Sequence, residues 1–425
     1  MKAIIDCNSF YCSCEILFRP DYKNKPVIVL SNNDGCIISR TESAKALGIK
    51  MAAPFFQVRS VVEQNNIGVF SSNYNLYGEI SQRVMNTLKS FAGEGNVEVY
   101  SVDESFIELS HIPEQKMQKF CFELKSEVET CTGIPVSIGI AKTKVLCKVA
   151  NRLAKNSKIG HAGVVALIDE QSIESALRQM KVEALWGIGL KFAAKLTEQG
   201  IINAWELRNM NEEWVRKNMG GVVGVRMLRE LKGNSCHDIK IPLKEKQMIT
   251  CSRMFGIPIT SLELLKQAVS AYVAKGAEKL RRQFFCAGEI YVFVVRNDHG
   301  LTYEYKPLTF GLNKRLPVAT ADTNELVHHA LPLLFKLYNK GSNYLKAGVI
   351  FSKLVPMNCI QSNFFIPKGS AKNYRLMSTM DNINFSMRNE VVRFAGSGIE
   401  RSWKMAQMYR SPRYTSRWNE LREVI

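Results

Sequence analysis

Three carboxylates stand at the borders of short apolar segments and could bind divalent cations. Asp6 ends the apolar segment 3–5, and Asp103 and Glu104 lie between two strand-like segments. Like charges gathered in a core must be neutralised by protonation or by bound cations. Carboxylate oxygens without histidine suit Mg²⁺ better than Zn²⁺, and two Mg²⁺ ions could activate a hydroxyl group and stabilise a leaving pyrophosphate. A capping role for Asp6 and a solvated hairpin for the Asp-Glu pair are the alternatives.

An aromatic pair, Phe10 and Tyr11, follows Asp6 by less than two helical turns. A flat ring beside the metal ions could pack under a sugar. Such a ring would clash with a 2′-hydroxyl group and so distinguish deoxyribose from ribose. The alternative is that both rings belong to the core of a helix predicted at 9–17, and this fits Phe10 better than Tyr11.

Two lysines lie near the ends of predicted helices. Lys45 is close to the end of a helix predicted at 41–48, and Lys155 closes a helix predicted at 143–155. Cations at these positions complement the helix macrodipole, which is the simpler interpretation. As a pair, the two lysines could instead hold a triphosphate.

The positive charge of the chain is concentrated in its second part. The 425 residues carry a formal net charge of +18. Residues 1–242 hold 30 basic and 26 acidic side chains, and residues 243–425 hold 27 and 13, so 14 of the 18 excess charges lie in the second part. This distribution favours a C-terminal half that binds a polyanion such as nucleic acid, with a solvated basic surface as the alternative.

Apolar, β-branched segments alternate with segments of helical period in the first 160 residues, which indicates an α/β or α+β domain. We predict strands at 2–6, 26–30, 97–101, 105–109 and 135–141, and helices at 9–17, 41–48, 54–63, 74–91, 115–131 and 143–155. Without a small insertion between about 20 and 75, the order β-α-β-β-α-β remains, and this order is typical of ferredoxin-like folds.

The rest of the chain divides into three parts. Residues 170–235 show only helical periodicity, and a second β-α-β-β-α-β pattern follows. After Pro356 the periodicity fades, and we expect a tail with weak local structure. The second pattern consists of strand 249–256, helix 262–283, strands 287–295 and 302–310, helix 322–337 and strand 344–352.

Two glycines, Gly187 and Gly189, lie between short helical segments of the 170–235 region. They could let backbone N–H groups approach a DNA phosphate at a helix N-terminus. A plain turn between helices is the alternative. Lys191 and Lys195 follow on one face of the next helix, which favours contact with DNA.

Eleven cysteines occur without a C-x-x-C motif and with only six histidines, so a zinc site is not expected. We expect reduced, mostly buried thiols. The N-terminal segment has a carboxylate at position 6 and lacks the apolar core of a signal peptide, and no stretch of 18 apolar residues occurs. A cytoplasmic location without membrane contact is therefore predicted.

Several ordered motifs resemble those of the Y-family translesion DNA polymerases, and the resemblance extends over essentially the whole chain. So many motifs in one order are more specific than any single short motif. The motifs include Asp6-x4-Tyr11-x3-Glu15, Ala44-Lys45-Ala46-Leu47-Gly48, Tyr100-Ser101-Val102-Asp103-Glu104-Ser105, Trp186-Gly187-Ile188-Gly189, Lys346-Ala347-Gly348-Val349 and Ser411-Pro412-Arg413-Tyr414-Thr415.

The resemblance implies roles for particular residues. Asp6, Asp103 and Glu104 would coordinate two Mg²⁺ ions, with the backbone carbonyl group of Cys7 as a further ligand. Tyr11 would be the steric gate beside Phe10. The contacts to the incoming triphosphate would come from Ser39, Lys45 and Lys155, and contacts to DNA from Gly187, Gly189 and Lys191.

The resemblance also implies a right-hand polymerase that performs error-prone, template-directed synthesis in the SOS response. Its substrates would be primed template DNA and deoxynucleoside triphosphates, and its protein partners would be processed UmuD, RecA and the sliding clamp. The implied domains are a ferredoxin-like palm at 1–24 and 73–168, fingers at 25–72, a helix-hairpin-helix thumb at 169–238, a little finger of ferredoxin-like topology at 243–355 and a tail at 356–425.

The clamp site of such polymerases is a short segment that begins with glutamine and ends in bulky apolar residues. This chain offers Gln361 followed by Phe364 and Phe365, without the first leucine of the usual pattern. We expect a weaker clamp site there, with an incidental segment as the alternative.

Two other functions remain open. A non-catalytic DNA-binding subunit could keep the polymerase shape and recruit other factors, although the intact set of carboxylates argues against it. A nucleotide cyclase could use the same palm layout, but it would not need a basic C-terminal half.

Overall fold

A computed structural model describes residues 1–155, 163–239, 246–298, 307–361, 363, 365, 371–387, 390–415 and 417–422. Within these residues the strands are β1 (Lys2–Cys7), β2 (Val27–Leu30), β3 (Ile37–Arg40), β4 (Gly68–Ser71), β5 (Val97–Val99), β6 (Glu104–Glu108), β7 (Val136–Ala141), β8 (Val164–Leu167), β9 (Ile249–Ile259), β10 (Phe285–Asn297), β11 (Leu308–Thr320) and β12 (Asn343–Pro356).

The helices of the same residues form the layers that cover the sheets. They are α1 (Phe10–Phe18), α2 (Glu42–Ala46), α3 (Phe55–Gln64), α4 (Tyr74–Ala92), α5 (Glu114–Thr132), α6 (Lys144–Ala154), α7 (Glu170–Gln179), α8 (Leu190–Glu198), α9 (Ala204–Arg208), α10 (Glu212–Asn218), α11 (Val222–Leu231), α12 (Leu262–Arg282), α13 (Thr323–Leu337) and α14 (Ala371–Ser386).

The first sheet has the strand order β5-β6-β1-β7-β8, so β1 lies between β6 and β7. Its first four strands, together with α1, α4 and α5, confirm the predicted β-α-β-β-α-β order. The fifth strand, β8, pairs parallel to β7 and is missing from the sequence prediction. Four residues are too few to give a periodic signal.

Both faces of the first sheet are buried, because side chains of β1 alternate between two cores. Ile5 packs in the core that α4 and α5 cover, whereas Ile4 packs with α6 and the helical region. The apolar residues of α4 and α5 recur every three or four positions, which places them on one side of each helix. The end of β1 is thus held from both sides.

The insertion between α1 and α4 forms its own three-stranded sheet in the order β3-β2-β4. A small core that includes Ile28, Leu30 and Val62 joins this sheet to α2 and α3. The sequence predicts β2, α2 and α3 here but misses β3 and β4, which have four residues each.

Helices α7 to α11 follow β8, and the described residues between β8 and β9 contain no named strand, as the sequence predicts. Leu177, Leu196 and Leu228 of this region share one core with Phe106 of β6. The helical region is therefore packed directly on the first sheet. Among the described helices, none combines the length and the apolar composition needed to cross a bilayer.

The second β-α-β-β-α-β unit is built from β9 to β12 with α12 and α13, and its sheet has the order β11-β10-β12-β9. The element order is confirmed. One strand is placed differently from the prediction of 302–310, because β11 begins at Leu308 and continues to Thr320. Antiparallel pairing with β10 extends it past the point where apolar alternation ends. Residues 302–306 lie outside the described residues.

The segment after Pro356 is more ordered than predicted, which corrects the expectation of weak local structure. It contains the 16-residue helix α14, and Trp403, Ser411 and Tyr414 are buried against the body of the protein. The sequence signal is weak because this segment has no core of its own. Its buried aromatic residues Trp403 and Tyr414 pack into cores that distant parts of the chain form.

All eleven cysteines are free thiols, and seven of them are buried. This confirms the expectation of reduced, mostly buried cysteines.

Candidate active site

The register of the first sheet brings the three predicted carboxylates to one end of β1. Asp6 lies directly opposite Glu104 of β6. The next residue, Cys7, donates its backbone N–H to the carbonyl oxygen of Asp103 at 2.8 Å. Residues that are about a hundred positions apart in sequence are therefore neighbours, as the hypothesis of a shared metal site requires.

Burial and charge raise the pKa of Asp6. Its side chain is about nine-tenths buried, and the loss of hydration raises the pKa from 3.8 to about 7. The ammonium group of Lys155 opposes this shift, and the nearby carboxylate of Glu104 adds to it. Two carboxylates that face each other in a poorly hydrated site require positive charge nearby.

Helix α6 supplies that positive charge. The Nζ atom of Lys155, the C-cap residue, lies 2.7 Å from Oδ2 of Asp6, and Lys148 forms an ion pair with Glu104. Lys148 also lies over the rings of Tyr100 and Trp186, at 5.2 and 5.7 Å from their centroids. Lys148 is not among the predicted site residues, although its spacing of seven residues from Lys155 places both on one side of the helix.

The third carboxylate is fixed by its own turn. Ser101 donates its hydroxyl group to Oδ1 of Asp103 at 2.5 Å, and the backbone N–H groups of Asp103 and Glu104 donate to Ser101 Oγ at 3.2 and 3.0 Å. These bonds close the tight turn between β5 and β6. The turn therefore determines where the Asp103 carboxylate lies.

The donor set fits magnesium in its chemistry. It consists of carboxylate oxygens at one end of a rigid sheet, with the backbone of Cys7 beside them. Across the ranges that the structure describes, no three His, Cys, Asp or Glu side chains are already gathered into a metal site. Asp6 and Glu104 are instead turned towards lysine ammonium groups, which neutralise them.

The ring of Tyr11 lies beside this site on α1. It stacks on Tyr77 with centroids 4.6 Å apart and meets the edge of Tyr74 at 6.0 Å. Burial raises the pKa of Tyr11, and the nearby charges of Tyr74 and Asp103 add to the shift. Phe10 is only 3% exposed and belongs to the core, as the alternative interpretation of the sequence had it.

The remaining predicted triphosphate contacts lie in the insertion. Ser39 at the end of β3 is buried and accepts a hydrogen bond from the backbone N–H of Cys12 at 3.4 Å. Lys45 on α2 is exposed and forms an ion pair with Glu42 at 3.2 Å. The structure thus joins Lys155 to the carboxylates directly and places Lys45 on the surface of a separate helix.

The predicted glycine turn precedes α8. Gly187 has φ +93°, and a Cβ atom there would lie 2.7 Å from Cε of Met227, so both conformation and space favour glycine. Gly189 is the N-cap of α8. Lys191 is exposed, whereas Lys195 donates to the carbonyl oxygen of Asn218 at 3.2 Å. Of the two lysines, Lys191 is the better placed for a phosphate.

The predicted clamp segment is described only in part. Gln361 is exposed and Phe365 is 94% exposed. Phe364 lies outside the described residues.

Comparison with solved structures defines the class of fold. A Y-family DNA polymerase chimera of Dbh and Dpo4 matches with a TM-score of 0.66 and 19% identity, and the match covers 84% of this chain and 100% of that chain. An insertion ternary complex of Dbh DNA polymerase matches with a TM-score of 0.55, again at 19% identity, over 84% of this chain and 100% of that one. The chain therefore has the fold of the Y-family DNA polymerases, which confirms the predicted fold class.

Within that class, the chain belongs to the impB/mucB/samB family. The family model matches residues 5–152, and the model of the family's C-terminal domain matches residues 246–364. Protein UmuC of Salmonella typhimurium is 37% identical over 100% of both chains, and Protein ImpB of the same species is 39% identical over 99% of both. DNA polymerase IV of Brucella melitensis is 26% identical over 83% of this chain and 76% of its own.

A third model, a domain of unknown function, matches residues 374–424. This region includes most of α14 and the buried residues Trp403, Ser411 and Tyr414.

Proposed function

We propose that this protein is a DNA-directed DNA polymerase that adds deoxynucleotides to a primer 3′-hydroxyl group opposite damaged template bases. The observation that carries the proposal is the pairing of Asp6 with Glu104, next to the hydrogen bond between Cys7 and Asp103. Membership in a family that includes UmuC supports the same activity.

Asp6, Asp103 and Glu104, with the backbone carbonyl group of Cys7, would hold two Mg²⁺ ions. Bound there, the ions would activate the primer hydroxyl group and neutralise the charge of the leaving pyrophosphate. Lys148 and Lys155 would offset the negative charge of these carboxylates before substrate and metal bind. We expect Lys155 then to contact the triphosphate, because its ammonium group is already at the site.

Tyr11 would act as the steric gate against ribonucleotides. Its half-buried ring lies on a stack with Tyr77, so it cannot easily move away from a 2′-hydroxyl group. Ser39 and Lys45 would also contact the triphosphate. Phe10 would act indirectly, by supporting Tyr11 from the core.

The four structural regions would act as palm, fingers, thumb and little finger, within the boundaries predicted from the sequence. DNA would contact Gly187, Gly189 and Lys191 through its phosphates. In the second unit, β11 exposes Lys314 and Arg315, and most of the excess positive charge lies in this half of the chain. Contacts with phosphates are independent of base sequence, which suits a damaged template.

The biological setting would be error-prone synthesis in the SOS response, in the cytoplasm, with processed UmuD, RecA and the sliding clamp as partners. The 37% identity to UmuC over the full length of both chains supports this setting. Gln361, Phe364 and Phe365 would form the clamp contact. The replacement of both phenylalanines by alanine should lower recovery of this protein in a clamp pull-down, and unchanged recovery would remove the clamp assignment.

The decisive test is primer extension across an abasic template site, with Mg²⁺ and deoxynucleoside triphosphates, and with or without the accessory proteins. A polymerase extends the primer only when a template is present. A recruitment subunit binds the DNA without extension, and a cyclase consumes nucleotide without a template. Either of these two results would overturn the proposal.

A variant of the gate tests the site itself. Tyr11→Ala should raise the use of ribonucleotides by about a hundredfold while deoxynucleotide extension is largely kept, because a clash with the 2′-hydroxyl group is removed. Leu17→Ala, at an exposed position of the same helix, is the control. Unchanged sugar discrimination in Tyr11→Ala would place the gate elsewhere.

A further inference from the structure

A buried carboxylate lies on α1 behind the candidate gate. Glu15 has no exposed surface, and its Oε1 atom accepts hydrogen bonds from the hydroxyl groups of Tyr77 at 2.6 Å and Ser411 at 3.1 Å. Its position one helical turn after Tyr11 places the two residues on the same side of α1. A buried carboxylate without such donors would be costly, so these bonds fix the group.

Tyr77 connects this carboxylate to the gate. Its hydroxyl group bonds to Glu15, and its ring stacks on Tyr11 at 4.6 Å with an interplanar angle of 22°. Tyr77 is 1% exposed, so its ring cannot move without repacking the core. The hydrogen bond to Glu15 therefore determines the surface on which the Tyr11 ring rests.

Ser411 comes from the C-terminal region of unknown function, 396 positions after Glu15. It is itself held on the opposite side, where the side-chain amide of Asn73 donates to Ser411 Oγ at 3.0 Å and to the carbonyl oxygens of Ser411 and Pro412 at 3.2 Å each. Tyr414 stacks on Phe18 at 4.8 Å. The serine is thus a fixed part of the palm.

We infer that Ser411, Glu15 and Tyr77 are positioning residues for sugar discrimination, and that the C-terminal region thereby completes the nucleotide pocket. This inference rests on the proposed polymerase function and on the role of Tyr11 as the gate. It gives the region of unknown function a defined task. The task is to hold Tyr77 under the gate through the carboxylate of Glu15.

Loss of one of these hydrogen bonds should loosen the gate without removing it. Tyr77→Phe keeps the stacked ring and removes only the hydroxyl group, and Ser411→Ala removes the donor from the C-terminal region. Each variant should lower discrimination against ribonucleotides by about fivefold to tenfold, since one such bond is worth on the order of 1 kcal/mol.

A matched control is available in the same region. The hydroxyl group of Thr415 donates to Glu79 of α4 at 2.6 Å, so Thr415→Ala removes an equivalent bond between the C-terminal region and the palm. It does not involve Glu15, and we expect unchanged discrimination. The measurement is the ratio of kcat/KM for a deoxynucleotide to that for the matching ribonucleotide, in the full-length protein with its accessory proteins.

A background that lacks the gate separates positioning from general stability. When Tyr11 is already alanine, the further changes Tyr77→Phe or Ser411→Ala should leave the sugar ratio unchanged, because no gate remains to be positioned. A merely structural role would lower extension equally with both sugars and in both backgrounds.

Three outcomes overturn the inference. Discrimination that is unchanged in both Tyr77→Phe and Ser411→Ala, while it falls in Tyr11→Ala, would remove the inference and leave the proposed function intact. An equal loss in Thr415→Ala would show a general effect of tail docking. Failure of the unaltered protein to extend a primer would overturn the proposed function, and the inference with it.

Discussion

The two β-α-β-β-α-β units share an element order but differ in which strand is central. In the first unit the initial strand β1 lies between β6 and β7, so Asp6 has neighbours on both sides. In the second unit the initial strand β9 is at the edge of the sheet and, among the described strands, pairs with β12 alone. Segments from elsewhere in the chain bind to it: Asn33 donates to the carbonyl oxygen of Phe255, and the backbone N–H of Gly256 donates to the carbonyl oxygen of Trp403. A central first strand thus gathers distant residues at its end, whereas the second unit has exposed basic residues on its other edge strand, β11.

The first helices of the two units bury side chains of opposite charge type. Helix α1 buries the carboxylate of Glu15, and α12 buries the guanidinium group of Arg281, which is 9% exposed. The C-terminal region contacts both groups. Ser411 donates to Glu15, and Asp381 of α14 accepts from Arg281 at 2.7 and 2.8 Å. One segment therefore contacts a buried acidic side chain in the first unit and a buried basic side chain in the second.

The largest difference is expected between two single variants, one with a carboxylate changed in the first unit and one with a carboxylate changed in the second. Asp103→Asn should slow primer extension at least about a hundredfold, because bound metal charge contributes several kcal/mol to the transition state. Glu289→Gln on β10, where the carboxylate bonds to Asn313 and Lys353, should extend primers at the unaltered rate. Single-turnover extension measures both rates.

DNA affinity is the control for this pair. Phosphate contacts supply most of the affinity, so binding should change by less than about twofold in Asp103→Asn. If binding and synthesis are lost together, Asp103 has a structural role and the comparison of the two units fails.

An intermediate effect is expected in the pH dependence of stability. Burial raises the pKa of Glu15 from 4.5 to about 7, although hydrogen bonds from Tyr77 and Ser411 and the charge of Arg19 oppose the shift. The folded state then binds more protons than the unfolded state between these pH values. The contribution of Glu15 to the free energy of unfolding is therefore greatest below pH 4.5 and falls as pH rises through 7, by about 3 kcal/mol.

The variant Glu15→Gln removes this titration. The free energy of unfolding of the unaltered protein and of Glu15→Gln is measured by chemical denaturation at pH 5 and pH 8. Relative to Glu15→Gln, the unaltered protein should be less stable at pH 8 than at pH 5. Glu174→Gln, at a partly exposed acid on α7 that pairs with Arg178, should show no such change with pH. If stability depends on pH equally in all three proteins, ionisation of Glu15 does not lower the free energy of unfolding, and the prediction is wrong.

The smallest effect is expected on DNA binding by the second unit. The double change of Lys314 and Arg315 to alanine should weaken DNA binding by about threefold to tenfold at moderate salt. It should also reduce the slope of the logarithm of the binding constant against the logarithm of the salt concentration by about one to two. Extension at saturating DNA should be unchanged. Fluorescence anisotropy at several salt concentrations measures this, and Lys119→Ala on α5 is the control. An unaltered salt slope would move the DNA contact away from β11.

Much of the local structure is predictable because it depends on residues close in sequence. The helices predicted at 74–91 and 115–131 are found at Tyr74–Ala92 and Glu114–Thr132, since both have a regular apolar period. The strand predicted at 2–6 is found at Lys2–Cys7. The short strands β3, β4 and β8 are missed, because pairing with neighbours determines them rather than their own composition.

The candidate site was predictable in its residue types but not in its contacts. The motifs single out Asp6, Asp103 and Glu104, yet nothing local shows that Lys148 and Lys155 neutralise two of them. These pairs depend on how α6 packs against the first sheet.

The sequence by itself determined the helices and longer strands, the position of the basic charge and the residues able to bind metal and nucleotide, because composition and periodicity are local properties. Only the tertiary structure decided which of two identical element orders has a central first strand. It also decided that Ser411 reaches Glu15. The first depends on pairing between segments about a hundred residues apart and the second on a contact between residues 396 positions apart, and neither leaves a periodic trace in its own segment.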